Sequence, residues 1–302
     1  MNEKRLGSFW MLWAYVLTAL TYFLGAGPLR AVRSQMGRGF YWALVMVLSV
    51  SSIVFGLFSA AESARFFLWV GGSFLSVATL IGLFCEFEES GWSFDLSAAF
   101  SLLVLSFLSL GVAGILFWMH GKLLVAQITA LFEQSLKSAS LEIPATQLLS
   151  QTPSVIIILW MLALYCSVLM EGRIRIAGAP RPHVTRAEMF QFRAPEWVVW
   201  VFIASLLPAF GSMGPAWLQL AATNTLNVCI AIFFFQGIGI IHQYLISMRV
   251  SLFWQTLLVL FLIVQLFIFV SCLGLADHWL DVRTKLIKWR QSRLETYKRR
   301  EK

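Results

Sequence analysis

The sequence predicts an all-α integral membrane protein: a polytopic bundle of about eight transmembrane helices plus one amphipathic interfacial helix. Three observations predict it. First, from Ser8 to Ala276 the chain divides into about eight apolar blocks whose interiors, His242 apart, carry no ionisable His, Lys, Arg, Asp or Glu. A helix rises ~1.5 Å per residue, so ~20 apolar residues cross a ~30 Å hydrocarbon core. Second, apolar residues make up 59% and charged residues 13%, against about 45–50% and ~25% in soluble domains. Third, 13 Trp and 26 Phe exceed what a small soluble core holds and suit a membrane interface.

Helix 1 is expected over residues 8–27, stopped by Gly25, Gly27 and Pro28. It is retained, because Gly27-Pro28-Leu29-Arg30 is a poor signal-peptidase site. A basic loop with Arg30, Arg33 and Arg38 follows. Helix 2 is expected over 39–60 and helix 3 over 65–85, where Gly71, Gly72, Ser73 and Gly82 permit close helix approach in lipid. Glu86-Phe87-Glu88-Glu89 has no cation-loop spacing, so it is expected to be a solvated outer loop. Helix 4 covers 96–119. Over 121–142, Leu123, Leu124, Ile128, Leu131, Phe132 and Leu136 recur at helical spacing opposite Lys122, Gln127, Glu133, Gln134 and Lys137, which predicts the amphipathic helix. Helix 5 covers 153–170, with Pro153 at its start. Residues 171–195, with five Arg, form a polar connection. Helix 6 runs from Ala194-Pro195-Glu196-Trp197 to about 210 and bends at Pro208. Helix 7 covers 215–247 and helix 8 covers 250–277. Residues 1–282 are then one transmembrane helical domain and 283–302 a basic cytoplasmic tail.

The net charge of +8 is concentrated at one end: nine of the 23 Lys and Arg lie between Arg283 and Lys302. A basic cluster beside a span anchors on anionic lipid, and no nucleic acid is expected. With eight spans both termini share a side. That side then holds 14 basic residues and the other side nine, which predicts a plasma-membrane protein with both termini cytoplasmic. The same count puts the arginine-rich 171–195 stretch outside, against the rule.

Catalytic signatures are missing: there is no GxSxG, HExxH or phosphate-cradling loop in usable context. Cys85, Cys166, Cys229 and Cys272 stand singly, without metal-ligand spacing. No enzyme activity, metal or cofactor is expected. The absence of acids and bases from span centres argues against autonomous proton-coupled transport. Helix 7 is the most polar span. Asn224, Asn227 and His242 share one face and Gln236 lies on a second stripe, because successive residues turn by 100°. Buried amides need partners, so these four are candidates for small-molecule binding, with interhelical hydrogen bonding as the other reading. In Gly274-Leu275-Ala276-Asp277-His278-Trp279-Leu280-Asp281-Val282-Arg283, Asp277, Asp281 and Arg283 are candidates for a partner or structural contact. On a continuous helix Asp281 pairs with Lys285. Arg283 lies ~240° from Asp277, so Asp277 is expected to take a cationic or backbone N–H partner from elsewhere, with Arg65, Lys122 or a partner protein as candidates.

Three stretches resemble the YybS-like family of predicted bacterial membrane proteins, a domain of unknown function. They are Phe192-Arg193-Ala194-Pro195-Glu196-Trp197, then Asn227 with Phe235-Gln236-Gly237, then Gly274-Leu275-Ala276-Asp277 with Asp281-Val282-Arg283. The resemblance is strongest over 190–285 and implies placement rather than chemistry. In hydropathy the chain is also similar to the substrate-binding membrane subunits of energy-coupling-factor transporters, whose small-residue motif Ala14 and Ala19 match only loosely. The expected function is a non-enzymatic transport-type component holding a small, weakly polar ligand among helices 6 to 8. The alternative is a structural or assembly protein of the envelope that binds other membrane proteins.

Overall fold

A computed structural model describes residues 3–59, 61–138, 144–171, 174, 186–211, 214–248, 261, 265–285 and 288. Among them every regular element is a helix. The chain divides into two compact units, Met1–Arg186 and Ala187–Lys302. Among the described residues five helical stretches are long and apolar enough to cross a membrane: Arg38–Phe58, Phe66–Glu89, Phe94–Met119, Ala145–Met170 and Ala216–Leu245. Eight were expected. Glu196–Phe210 and Phe267–Leu280 are apolar but shorter, and residues 250–260 and 262–264 of the expected last span lie outside the described residues.

The first unit opens differently from its prediction. Helix α1 (Glu3–Thr21) stops six residues early. Tyr22 takes a positive φ of 66°, and the chain reverses into α2 (Ala26–Met36). Gly25 and Pro28 therefore start a helix instead of ending one. Pro28 falls in the first turn of α2, where the backbone N–H groups have no intrahelical acceptor and a missing one costs nothing. The reversal is tight. A side chain at Gly25 would collide with the Thr18 hydroxyl and the Ala14 carbonyl.

The expected basic loop is thus a helix, and it is buried from Ala26 to Ser34. Arg30 Nη2 donates to both carboxylate oxygens of Glu88 at 3.0 Å, and its guanidinium carbon lies 4.8 Å from the Phe84 ring centroid. Arg33 grips Glu89 through Nη1 (3.0 Å) and Nη2 (2.9 Å) and also reaches Glu86 at 3.0 Å. Arg38 Nε is 3.1 Å from Glu86. The expected solvated acidic loop is the last turn of α4 (Ala61–Glu89). Its glutamates supply the opposite charges without which a buried guanidinium would cost several kcal/mol.

Helix α3 (Arg38–Phe58) lies alongside α1. Gly7, near the start of α1, sits so close to Met36 and Phe40 that a Cβ on it would lie 3.1 Å from each side chain. Further along, the Tyr15 and Ser52 hydroxyls hydrogen-bond. At the reversal the Tyr22 hydroxyl meets Ser76 of α4 at 2.9 Å and accepts from Trp160 Nε1 at 2.8 Å.

Helix α5 (Phe94–Ser138) contains the predicted boundary between span and amphipathic segment. Gly121 breaks the helix with φ 50° and ψ −127°, a conformation that a residue with a Cβ resists. Most side chains of the amphipathic stretch, and residues 139–142, lie outside the described residues. Helix α6 (Ala145–Glu171) starts eight residues before Pro153. The proline is accommodated inside a span, as in other membrane helices, instead of opening one.

In the second unit, α7 (Arg186–Gln191) leads through Pro195 into α8 (Glu196–Phe210), which contains Pro208. Helix α9 (Ala216–Ser247) matches expected helix 7, and α10 (Phe267–Leu280) is the end of expected helix 8. Ala194, Val198, Val199, Cys229 and Phe233 form a core, with the Phe202 ring edge-on to Phe233 at 5.6 Å. Two glycines let α9 and α10 touch backbone to backbone. A Cβ at Gly274 would strike the Phe233 carbonyl, and one at Gly237 the Val270 carbonyl. Of the tail, only residues 283–285 and 288 are described.

Candidate functional site

The polar residues of the second unit converge where the α7–α8 connection, α9 and the end of α10 meet. Gln236 is fully buried on α9. Its Oε1 accepts the backbone N–H of Ala194 at 3.0 Å, and its Nε2 donates to Asp277 Oδ2 at 3.3 Å. Asp277, 2% exposed, also accepts the backbone N–H of Arg283 on Oδ1 at 3.3 Å. Arg283 Nε lies 3.2 Å from Asp277 Oδ2, a charge contact without hydrogen-bond alignment. Its other nitrogens donate to the carbonyls of Phe190 (Nη1, 3.2 Å) and Gln236 (Nη2, 2.9 Å).

Arg283 is therefore the cation of Asp277, and the expectation of Arg65, Lys122 or a partner protein is corrected. The reason is a backbone reversal. Helix α10 ends at Asp281, whose φ of 44° and ψ of 49° are left-handed, and the Asp281 N–H closes onto the Asp277 carbonyl at 3.2 Å. The 100° wheel does not run through such a cap, so Arg283 folds back over Asp277. Asp281 in turn meets Arg193 at 3.1 Å instead of the expected Lys285, in a pair whose side chains are half exposed.

Burial pushes the Arg283 guanidinium down from its ordinary range; Asp277 opposes this and Arg193 adds to it. Burial, then the Arg193 charge, lowers the His278 imidazole, against Asp277 and Glu196. The His278 ring stands edge-on to Phe233 at 6.0 Å.

The other ligand candidates are spread along α9. His242 stacks on the Phe190 ring at 3.6 Å, the residue whose carbonyl accepts from Arg283. Asn224 and Asn227 lie 12 and nine residues before Gln236, ~18 and ~14 Å along the axis. Asn224 donates to the Leu220 carbonyl of its own helix at 2.9 Å. The structure thus joins Gln236, Asp277 and Arg283 and leaves the asparagines apart. Sequence reasoning missed the backbone partners, Phe190 two residues before the Phe192–Trp197 motif and Ala194 within it.

The fold and this junction define a helical membrane protein. Residues 136–278 match a family described as a predicted membrane protein (DUF2232). The match takes in Ala194, Gln236 and Asp277 and stops short of Asp281 and Arg283. No curated protein and no solved structure matches the chain.

Proposed function

We propose that the protein is a non-enzymatic structural or assembly component of the bacterial inner membrane. One observation carries the reading: Gln236, the most buried amide of α9, is used at both ends by the protein itself, on the Ala194 N–H and the Asp277 carboxylate. A ligand-binding amide faces a cavity or solvent, and Gln236 has no exposed surface. This one fastens three segments, as buried amides do between membrane helices. The Asp277 carboxylate is held by an amide, a backbone N–H and a guanidinium of the same unit, which supports a structural use of these groups. Partner membrane proteins are the expected binders. Phe107 to Met119 of α5 are exposed throughout, and nothing lies within 4 Å of a Cβ built at Gly111 or Gly114.

The transport-type reading is the second one. It draws on Asn224 and Asn227, half-buried amides in a span-length helix, and on the similarity in hydropathy to energy-coupling-factor substrate-binding subunits. The resemblance of the three motifs to the YybS-like family fits either reading. Membrane abundance and detergent thermal stability of Gln236→Leu, Asn224→Leu and Asn227→Leu separate them. The assembly reading expects Gln236→Leu to lower both and the asparagine variants to change neither abundance nor cellular function. Loss of cellular function in the asparagine variants at normal abundance favours the transport reading and overturns the first.

A further inference from the structure

We infer that α1 and α2 form a re-entrant hairpin that enters and leaves the membrane on its cytoplasmic side. Neither α1 nor α2 is among the five span-length apolar helices. The start of α1 touches the start of α3: Gly7 abuts Met36 and Phe40. Eight residues further along α1 and 12 further along α3, Tyr15 bonds Ser52. The two helices therefore run in the same direction from the same face. A chain that goes down α1 and down α3 must come back up between them, and α2 is the return.

The turn does not reach the far side. Tyr22 is bonded to Ser76 and Trp160, which lie 13 and 11 residues before the ends of α4 and α6. At ~1.5 Å per residue that is ~20 and ~16 Å from those ends, in the middle of a ~30 Å layer. Irregular backbone is tolerated at that depth only when buried in protein. Here Gly25 is buried and Tyr22, Phe23 and Leu24 are partly buried, with the Tyr22 hydroxyl held by α4 and α6. Helix α2, at 11 residues, is ~16 Å long, enough to return from mid-depth and too short to cross.

The hairpin changes the parity of the four spans that follow it in the first unit. The ends of α4 and α6 lie on the same face as the start of α3, because α3, α4, α5 as far as Met119, and α6 each cross once. Counted along the sequence, the segments that adjoin that face carry Lys4, Arg5, Arg30, Arg33 and Arg38 and, after α6, the four arginines of residues 171–186, nine basic residues in all. The opposite face of the unit holds Arg65, Lys122 and Lys137. With the two buried arginines left out the ratio is seven to three, still decisive for the cytoplasm. The conflict raised by a crossing first helix, which put the arginine-rich stretch outside, disappears.

The test uses the full-length chain in native membranes, with its four cysteines replaced and single cysteines introduced at Lys4, Gly39, Ser90 and Gln147. An impermeant maleimide should label Gln147→Cys in intact cells, and Lys4→Cys, Gly39→Cys and Ser90→Cys only after the cells are opened. Labelling of Gly39→Cys and Ser90→Cys from outside with Lys4→Cys protected means that α1 crosses, and overturns the inference. So does outside labelling of all three. A second measurement does not depend on labelling: Gly7→Cys with Met36→Cys should form an intramolecular disulfide on mild oxidation. Normal abundance without that cross-link also sinks the hairpin.

Discussion

Asp277 faces an amide, a backbone N–H and a guanidinium, so it is the residue on which the junction of the second unit turns. Asp277→Asn leaves the Arg283 charge without its counter-ion. We expect a loss of up to about 3 kcal/mol, the low end for breaking a buried pair because the Arg283 side chain is 12% exposed. Asp281→Asn should cost no more than about 1 kcal/mol, because its pair with Arg193 is solvated. Thermal unfolding in detergent, run on both variants, checks the order, and equal effects would show the junction to be an ordinary wet helix end. Gln236→Leu strands the Ala194 N–H, an expected cost of about 1–3 kcal/mol. His278 sets a pH dependence. Burial holds its imidazole below the ordinary value near 6.5, so the unfolded chain takes up the proton first on acidification. Its contribution is complete above pH 6.5 and is lost as the pH falls below it. Unfolding temperature should therefore drop between pH 7.5 and 5.5, and His278→Gln should flatten that drop.

At the level of helices, much was legible. The boundaries of α3, α5 as far as Gly121, α8 and α9 fall within a few residues of those expected, because a run of apolar residues in lipid has few alternatives to a helix. The failures share one cause, information that is not local. Gly25-Ala26-Gly27-Pro28 followed by arginines looks like a helix end and a wet loop. It becomes a buried helix because three glutamates more than 50 positions later neutralise it. Pro153 looks like a first-turn residue, but the helix begins eight residues earlier. The partner of Asp277 was misassigned because a helical wheel assumes an unbroken helix and Asp281 breaks it. Of the site, the residue types were visible in the sequence: Gln236, Asp277 and Arg283 stood out individually, but their meeting depends on the fold. Close approach of α9 and α10 also depends on glycine. Gly274→Ala would drive a methyl into the Phe233 carbonyl, and we expect about 1–3 kcal/mol of destabilisation. At Gly72, where nothing lies within 4 Å, the same substitution should be silent. Parallel melting curves of the two variants make the comparison.

On the scale of the molecule, each unit closes its own charges: Arg30, Arg33 and Arg38 against Glu86, Glu88 and Glu89 in the first, Arg193 and Arg283 against Asp281 and Asp277 in the second. If the chain is divided within residues 175–185 and both pieces are produced together, the Gly7–Met36 cross-link and the sensitivity of the second piece to Asp277→Asn should both survive. Loss of either would show that the units depend on one another for their internal order. The pairing in the first unit also sets a clock. Arg30 and Arg33 leave the ribosome 53 to 58 residues ahead of their glutamates, a delay of ~3–12 s at about 5–20 residues per second. During that interval two guanidiniums have no carboxylate to follow them into hydrocarbon. The first pair of helices must wait at the aqueous boundary while α3 and α4 thread past it, and it can settle only when the end of α4 arrives. The opening segment of this protein is thus made first and seated late.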